Sequence, residues 1–138
     1  MIEFQIPGTP VGKGRPRFAR RGAFVATYTD EKTASYESLV RMAAGQVMAG
    51  GSPVDYPCAC DIEVLVTPPE SWSQKKKSAA LEGYVWPTTK PDLDNVAKVI
   101  LDACNSIVWV DDKQVVTLAV SKRYSLKNCV NVRIEHAG

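Results

Sequence analysis

The chain has 138 residues, 45% of them hydrophobic and 23% charged, with a formal net charge of +2; this suffices for one domain with a sizeable core and is short for two. No apolar run approaches the roughly 18 residues of a membrane-spanning helix, and the chain opens on Met1-Ile2-Glu3, not on a basic region followed by an apolar stretch. A single soluble, cytoplasmic domain over residues 1–138, with no membrane partner, is therefore expected.

Ile2 to Ile6 alternates apolar and polar residues, the pattern of a half-buried strand, and Pro7-Gly8 ends it. Residues 7–22 read as a Gly/Pro/Arg-rich loop with flexible backbone and exposed amides. Lys13, Arg15, Arg17, Arg20 and Arg21 fall within it; without these five, 12 basic residues face 15 acidic ones. Such local concentration suits contact with a polyanion and predicts phosphate contacts that do not read bases; a solvated basic loop is the alternative. Gly12-Lys13-Gly14 lacks the further glycines and the Lys-Ser/Thr pair of nucleotide-binding loops. Phe24 to Tyr28 reads as a short strand. Thr29 or Asp30 then caps an amphipathic helix carrying Tyr36, Leu39, Val40, Ala43 and Val47 at helical spacing, ended by Gly50-Gly51.

Cys58 to Thr67 contains Ile62, Val64 and Val66 in alternation and reads as a strand, with a parallel crossover pairing to the first strand expected from the long helix between them. Ser71 to Leu81 reads as a short helix or ordered loop carrying Lys75, Lys76 and Lys77, either solvated surface or facing DNA. Val115 to Tyr124 and Val130 to Glu135 read as two strands of a hairpin joined by Ser125 to Asn128. The pattern predicts an α+β domain with a mixed four-stranded sheet and two main helices in the order β-α-β-α-β-β. Cys58, Cys60, Cys104 and Cys129 fit neither a paired CxxC zinc pattern nor a dense disulfide framework. Buried thiols are expected, a zinc site completed by His136 being the minor alternative.

The chemistry concentrates between Lys90 and Val115. Pro91 biases Lys90 toward extended backbone, and in an extended stretch Asp92 and Asp94 point to the same side. Asp94 is a good N-cap for a helix through Cys104 with Val96, Val99, Ile100 and Ala103 on its apolar face. Asn95, Lys98, Asp102 and Asn105 form a polar stripe roughly 80° wide, which either meets water or lines a cleft. Asp92, Asp94 and one of Asp111 and Asp112 offer three carboxylates, and oxygen-only ligands select Mg²⁺ or Mn²⁺. On the residues alone a structural reading stands beside this one, with Asp94 as a cap, Asp94, Lys98 and Asp102 as surface ion pairs, and Asp111-Asp112 as a turn.

Pro91-Asp92-Leu93-Asp94-Asn95, then Lys98, then Val108-Trp109-Val110-Asp111-Asp112-Lys113-Gln114-Val115 resemble the core of the RusA-type endodeoxyribonucleases that resolve Holliday junctions. Phe4 to Pro7, Gly12 to Arg17 and the Tyr36-containing helix are similar to the phage and prophage members of that family. The resemblance implies a homodimeric, Mg²⁺- or Mn²⁺-dependent nuclease, with no small-molecule cofactor, making paired symmetric nicks across branched, four-way DNA in recombination and repair. It implies Asp92, Asp94 and Asp112 as metal carboxylates, with Asp111 as the less favoured neighbour because adjacent extended residues face opposite ways, and Lys98 as the catalytic lysine. The basic loop, Lys75 to Lys77 and Lys90 would hold DNA phosphates. Ser106 is a departure, since related sequences often carry Gly in the turn after the helix, and a positive φ there would cost a serine. Two other activities fit the same residues, a non-catalytic branched-DNA-binding protein and a metal-dependent nuclease acting on flaps or RNA.

Overall fold

A computed structural model describes residues 1–14, 17–21, 24–28 and 31–138, with backbone alone for 17–21 and 24–28. In chain order the elements are β1 (Ile2–Pro7), β2 (Arg17–Arg21), β3 (Phe24–Tyr28), α1 (Glu31–Met48), β4 (Cys58–Val66), α2 (Gln74–Leu81), α3 (Leu93–Ala103), a 3₁₀ turn (Asp112–Gln114), β5 (Val115–Tyr124) and β6 (Cys129–His136). The expected α+β class and mixed four-stranded sheet hold, with α1 and α3 as the main helices and α2 as a short third. The expected cap at Thr29 or Asp30 lies outside the described residues, as do Arg15 and the side chains of Arg17, Arg20 and Arg21.

Three expectations about strands are corrected. Residues 7–22 are not loop throughout, because Arg17–Arg21 pairs antiparallel with Phe24–Tyr28 in a separate two-stranded ribbon. β5 and β6 do not form a hairpin: the sheet order is β1-β6-β4-β5, so β4 lies between them. Nor does β1 pair with β4; β1 is antiparallel to β6, and the parallel pair is β4 with β5. Burial explains the arrangement. Cys58, Cys60, Ile62 and Val64 on β4 are all at most 2% exposed, so β4 takes the centre, where both its edges are paired. β5 takes the sheet edge, where Lys122 and Arg123 are tolerated. The short connection 125–128 is as able to cross over one strand, about 10 Å at the usual strand spacing, as to turn back on itself.

The core lies between one face of this sheet and the two main helices. Ile6, Val130, Val132 and Ile134 join the β4 set, and Tyr36, Val40 and Ala44 of α1 meet Val96, Val99, Ile100 and Ala103 of α3. Leu39 and Ala43 are partly buried and Val47 is exposed, so the buried stripe of α1 is rotated slightly from the predicted one. The four cysteines are free and buried; burial pushes the Cys60 and Cys104 thiols up to about 12, which keeps them protonated. His136 stacks on Tyr56 with ring centroids 4.6 Å apart.

After α3 the chain turns at Ser106 with φ +68°, and the Ser106 amide donates to the Trp109 carbonyl at 2.7 Å. This left-handed residue aims the Trp109–Asp112 segment back along α3. Left-handed backbone costs a non-glycine residue roughly 1–2 kcal/mol, while added glycine entropy in the unfolded chain returns about 0.4–1 kcal/mol of that. Ser106→Gly should therefore raise stability by roughly 0.5–1 kcal/mol, read as a higher urea midpoint at an unchanged m-value.

Candidate active site

α3 begins two residues earlier than expected. Asp92, in extended backbone, holds the N-cap position without a side-chain cap bond, and Asp94 sits in the first helical turn. The two carboxylates are thus not side by side on an extended strand; they flank a helix start, where the exposed amides favour negative charge. Cys104 is the C-cap. The Lys90–Pro91 peptide leading in is cis. Lys122 of β5 donates to the Thr89 carbonyl at 2.5 Å and the Pro91 carbonyl at 2.9 Å, tying the Asp92 loop to the sheet edge.

The polar stripe of α3 lines a cleft. The segment 8–14 lies across its N-terminal half, where the Lys13 amide donates to the Asn95 carbonyl at 3.1 Å. Gly12 is closely apposed: a Cβ there would stand 3.0 Å from Asn95 Cβ. The Gly14 amide donates to Thr33 Oγ1 at 2.9 Å, and Gly8 to the Asn128 carbonyl at 3.2 Å. These amides are therefore engaged within the protein and not presented to solvent as expected. Segment 9–14, Lys32, Lys90 and Asp92 enclose a cavity of about 380 Å³, a basic concavity with one carboxylate at its edge.

Farther along the stripe, the Lys13 ammonium pairs with the Asp102 carboxylate and stands 3.9 Å from Glu37. The Asp102 hydrogen bond, with the charges of Asp102, Glu37 and Asp112, raises the Lys13 pKa. Asp112 is the next group in this cluster. Burial raises its pKa, a hydrogen bond from the Asn105 amide pulls the other way, and the carboxylates of Asp102 and Asp111 raise it further. Asn105 in turn accepts from the indole of fully buried Trp109 at 3.0 Å, so one side chain links the core to the acidic group.

Asp111 and Asp112 face different tasks. Asp111 caps the 3₁₀ turn, accepting from the Lys113 amide at 2.9 Å. Gln114 completes a reciprocal box: its carbonyl oxygen accepts from the Val110 and Asp111 amides, both at 3.0 Å, and its amide donates to the carbonyls of Val54 and Tyr56 at 2.9 and 3.1 Å.

The family model for "Endodeoxyribonuclease RusA" matches residues 7–135. The chain belongs to this family. A relative, the uncharacterized protein YqaN of Bacillus subtilis (strain 168), is 38% identical over 140 residues, covering 96% of this chain and 94% of its own. Membership of the RusA family supplies nuclease activity and DNA as substrate class.

Of the predicted site residues, Asp92, Asp94 and Lys98 are exposed along α3, and Asp112 stands at the far end of the stripe beside Asp102. Among the described residues, no three His, Cys, Asp or Glu side chains are grouped as a metal cage. Asp102 and Lys122 were not predicted as site residues. Asp102 was readable as part of the polar stripe and as a surface partner of Lys98, whereas it pairs with Lys13, which nothing in the sequence brings to it. The Asp111-x-x-Gln114 capping box was a readable signal for which aspartate is structural.

Two measurements check this geometry. Gln114→Ala removes four hydrogen bonds and leaves partly buried backbone groups unmatched, so it should destabilise by about 2–3 kcal/mol in urea unfolding, with Gln114→Glu no better because a carboxylate cannot donate. Because Lys13 is already paired, Lys13→Ala should leave the slope of log K against log salt for duplex DNA unchanged, whereas Lys90→Ala should flatten it by about 0.9.

Proposed function

We propose that this protein is a Holliday junction resolvase. In this reading it acts as a homodimer, cutting two strands of a four-way junction symmetrically, with Asp92, Asp94 and Asp112 as the metal-binding carboxylates and Lys98 as the catalytic lysine. The observation that carries the reading is the packing of the Asp111–Gln114 turn onto the polar stripe of α3, the same helix whose first turn bears Asp92 and Asp94. It supports the reading because the two motif halves, far apart in sequence, then lie along one trough. Use of Asp111 as the turn's cap supports Asp112 as the ligand of the pair.

The donor set suits a hard divalent cation. Every candidate ligand is a carboxylate oxygen, and Mg²⁺ usually takes one or two carboxylates with waters and substrate phosphate oxygens, so a dry cage of three is not a requirement. When bound, such an ion polarises a phosphodiester oxygen and lowers the pKa of attacking water. The chain's own residues supply the rest. Lys98, exposed one turn beyond Asp94, offsets charge developing on the phosphoryl oxygens. Lys90 and Lys32 along the cavity, and Lys75 to Lys77 on α2, hold the DNA backbone and fix register without reading sequence. Lys122, through Thr89 and Pro91, keeps the Asp92 loop in place.

A synthetic four-way junction labelled on opposing strands tests this directly, with flap, duplex and RNA substrates alongside. Asp92→Asn and Asp112→Asn should each lower the cleavage rate by about 10²–10³-fold while junction binding persists, and the wild type should require Mg²⁺ or Mn²⁺. Cleavage retained in either variant, or metal-independent nicking, overturns the site assignment. Unpaired nicks overturn the dimer.

A further inference from the structure

The loop between α2 and Asp92 exposes two large aromatic side chains that the nuclease site does not use. Tyr84 is 79% and Trp86 61% exposed. Fully burying such a side chain is worth about 1.5–3 kcal/mol, so this face sits unburied in the free protein. The loop that carries it is pinned. The Gly83 and Tyr84 amides donate to Ala80 and Ala79 carbonyls at 3.1 and 2.9 Å, Pro87 is buried, and Lys122 holds Thr89 from the sheet. Trp86 lines a cavity of about 160 Å³ whose other side is formed by Arg123 and Tyr124 of β5. Tyr124 makes an edge-on contact with Trp72, centroids 5.4 Å apart, and the Lys76 ammonium lies over the Trp72 ring at 4.0 Å. Between residues 74 and 91 there are four lysines and one glutamate.

We propose that Trp86, with Arg123 and Tyr124 across the cavity and exposed Tyr84 two residues before it on the same loop, forms a stacking site for an unstacked DNA base at the branch point. The proposal rests on the reading of the protein as a junction nuclease and names how that substrate is told from duplex. Flat aromatic faces beside an excess of lysines are the combination that binds nucleobases without regard to sequence, through stacking with phosphate neutralisation around it. Bases within a duplex are already stacked, whereas a branch point has faces to offer. Because the loop is fixed before DNA arrives, little ordering is required on binding. Trp86 and Asp92 are six positions apart, which limits their separation to roughly 20 Å, so a base held here keeps the adjoining backbone within reach of the trough.

The test compares a four-way junction, carrying a fluorescent adenine analogue at the branch point, with linear duplex of the same sequence, both in Ca²⁺ at one salt concentration. Trp86→Ala should weaken junction binding by roughly 5- to 150-fold, the range expected for loss of one base stack, with duplex affinity within about twofold. Tyr84→Ala should act in the same direction, and Trp86→Phe should restore most of the difference. Wild type should change the analogue's fluorescence where Trp86→Ala does not. Equal losses on junction and duplex, or no loss on either, overturn the stacking site, as does a changed sedimentation profile of the free protein, which would assign the patch to self-association. Both side chains are exposed, so unchanged circular dichroism and melting midpoint verify the fold. A wild type that binds junctions selectively and never cuts them refutes the proposed activity and leaves the stacking site standing.

Discussion

Burying α3 on all but one narrow stripe is the constraint around which the molecule is arranged. Val96, Val99, Ile100 and Ala103 face the sheet and α1, and only the line from Asn95 to Asn105 is left for polar contacts. Every irregular segment near the site converges on that line. The chain after β1 crosses its first half through a glycine whose added Cβ would crowd Asn95. The chain before β5 returns along its second half by way of Ser106. Arg41 of α1 closes the far end by donating to the Ala103 carbonyl at 3.1 Å, one of those a helix C-terminus leaves unpaired. The trough is thus a consequence of core packing.

The same arrangement sorts the charges. On the open face of the sheet a larger concavity, about 550 Å³, is lined by side chains such as Glu3, Glu63, Asn131 and Arg133. Its charges are largely matched: Arg133 pairs with Glu3 at 3.2 Å, Arg123 with Glu63 at 3.8 Å, and Asn131 donates to Glu63 at 3.2 Å. Around α3 and the Asp92 loop the balance differs, with exposed lysines on one side and a packed carboxylate pair, Asp102 and Asp112, on the other. Size alone would pick the concavity on the sheet face; the distribution of charge separates the two.

Much of this was legible in the sequence, for reasons that also mark where legibility ends. The periodicities of Ile2–Ile6, Cys58–Val66 and Val96–Ala103 are local, and each became the expected element. The polar stripe was equally readable because it is a property of one helix. Strand neighbours were not, since the connection 125–128 spans a turn or a crossing equally well and the choice depends on how much of β4 must be covered. Lys13 shows the same limit in electrostatics: as a residue in a run of cations it reads as a phosphate contact, and only the fold brings Asp102 to it. Asp111 and Asp112 are chemically identical, yet the capping geometry gives them different work.

The order of strands has a consequence for biosynthesis. β1, made well before β6, joins the sheet through β6, pairing Ile2 with Ile134; β6 also covers the second edge of β4. Until β6 has left the ribosome, the apolar face of β1 lacks its strand partner and β4 keeps an open edge. Contacts of such sequence separation form slowly, so the nascent chain holds β4 with both edges open until β5 is made and with one edge open until β6 follows.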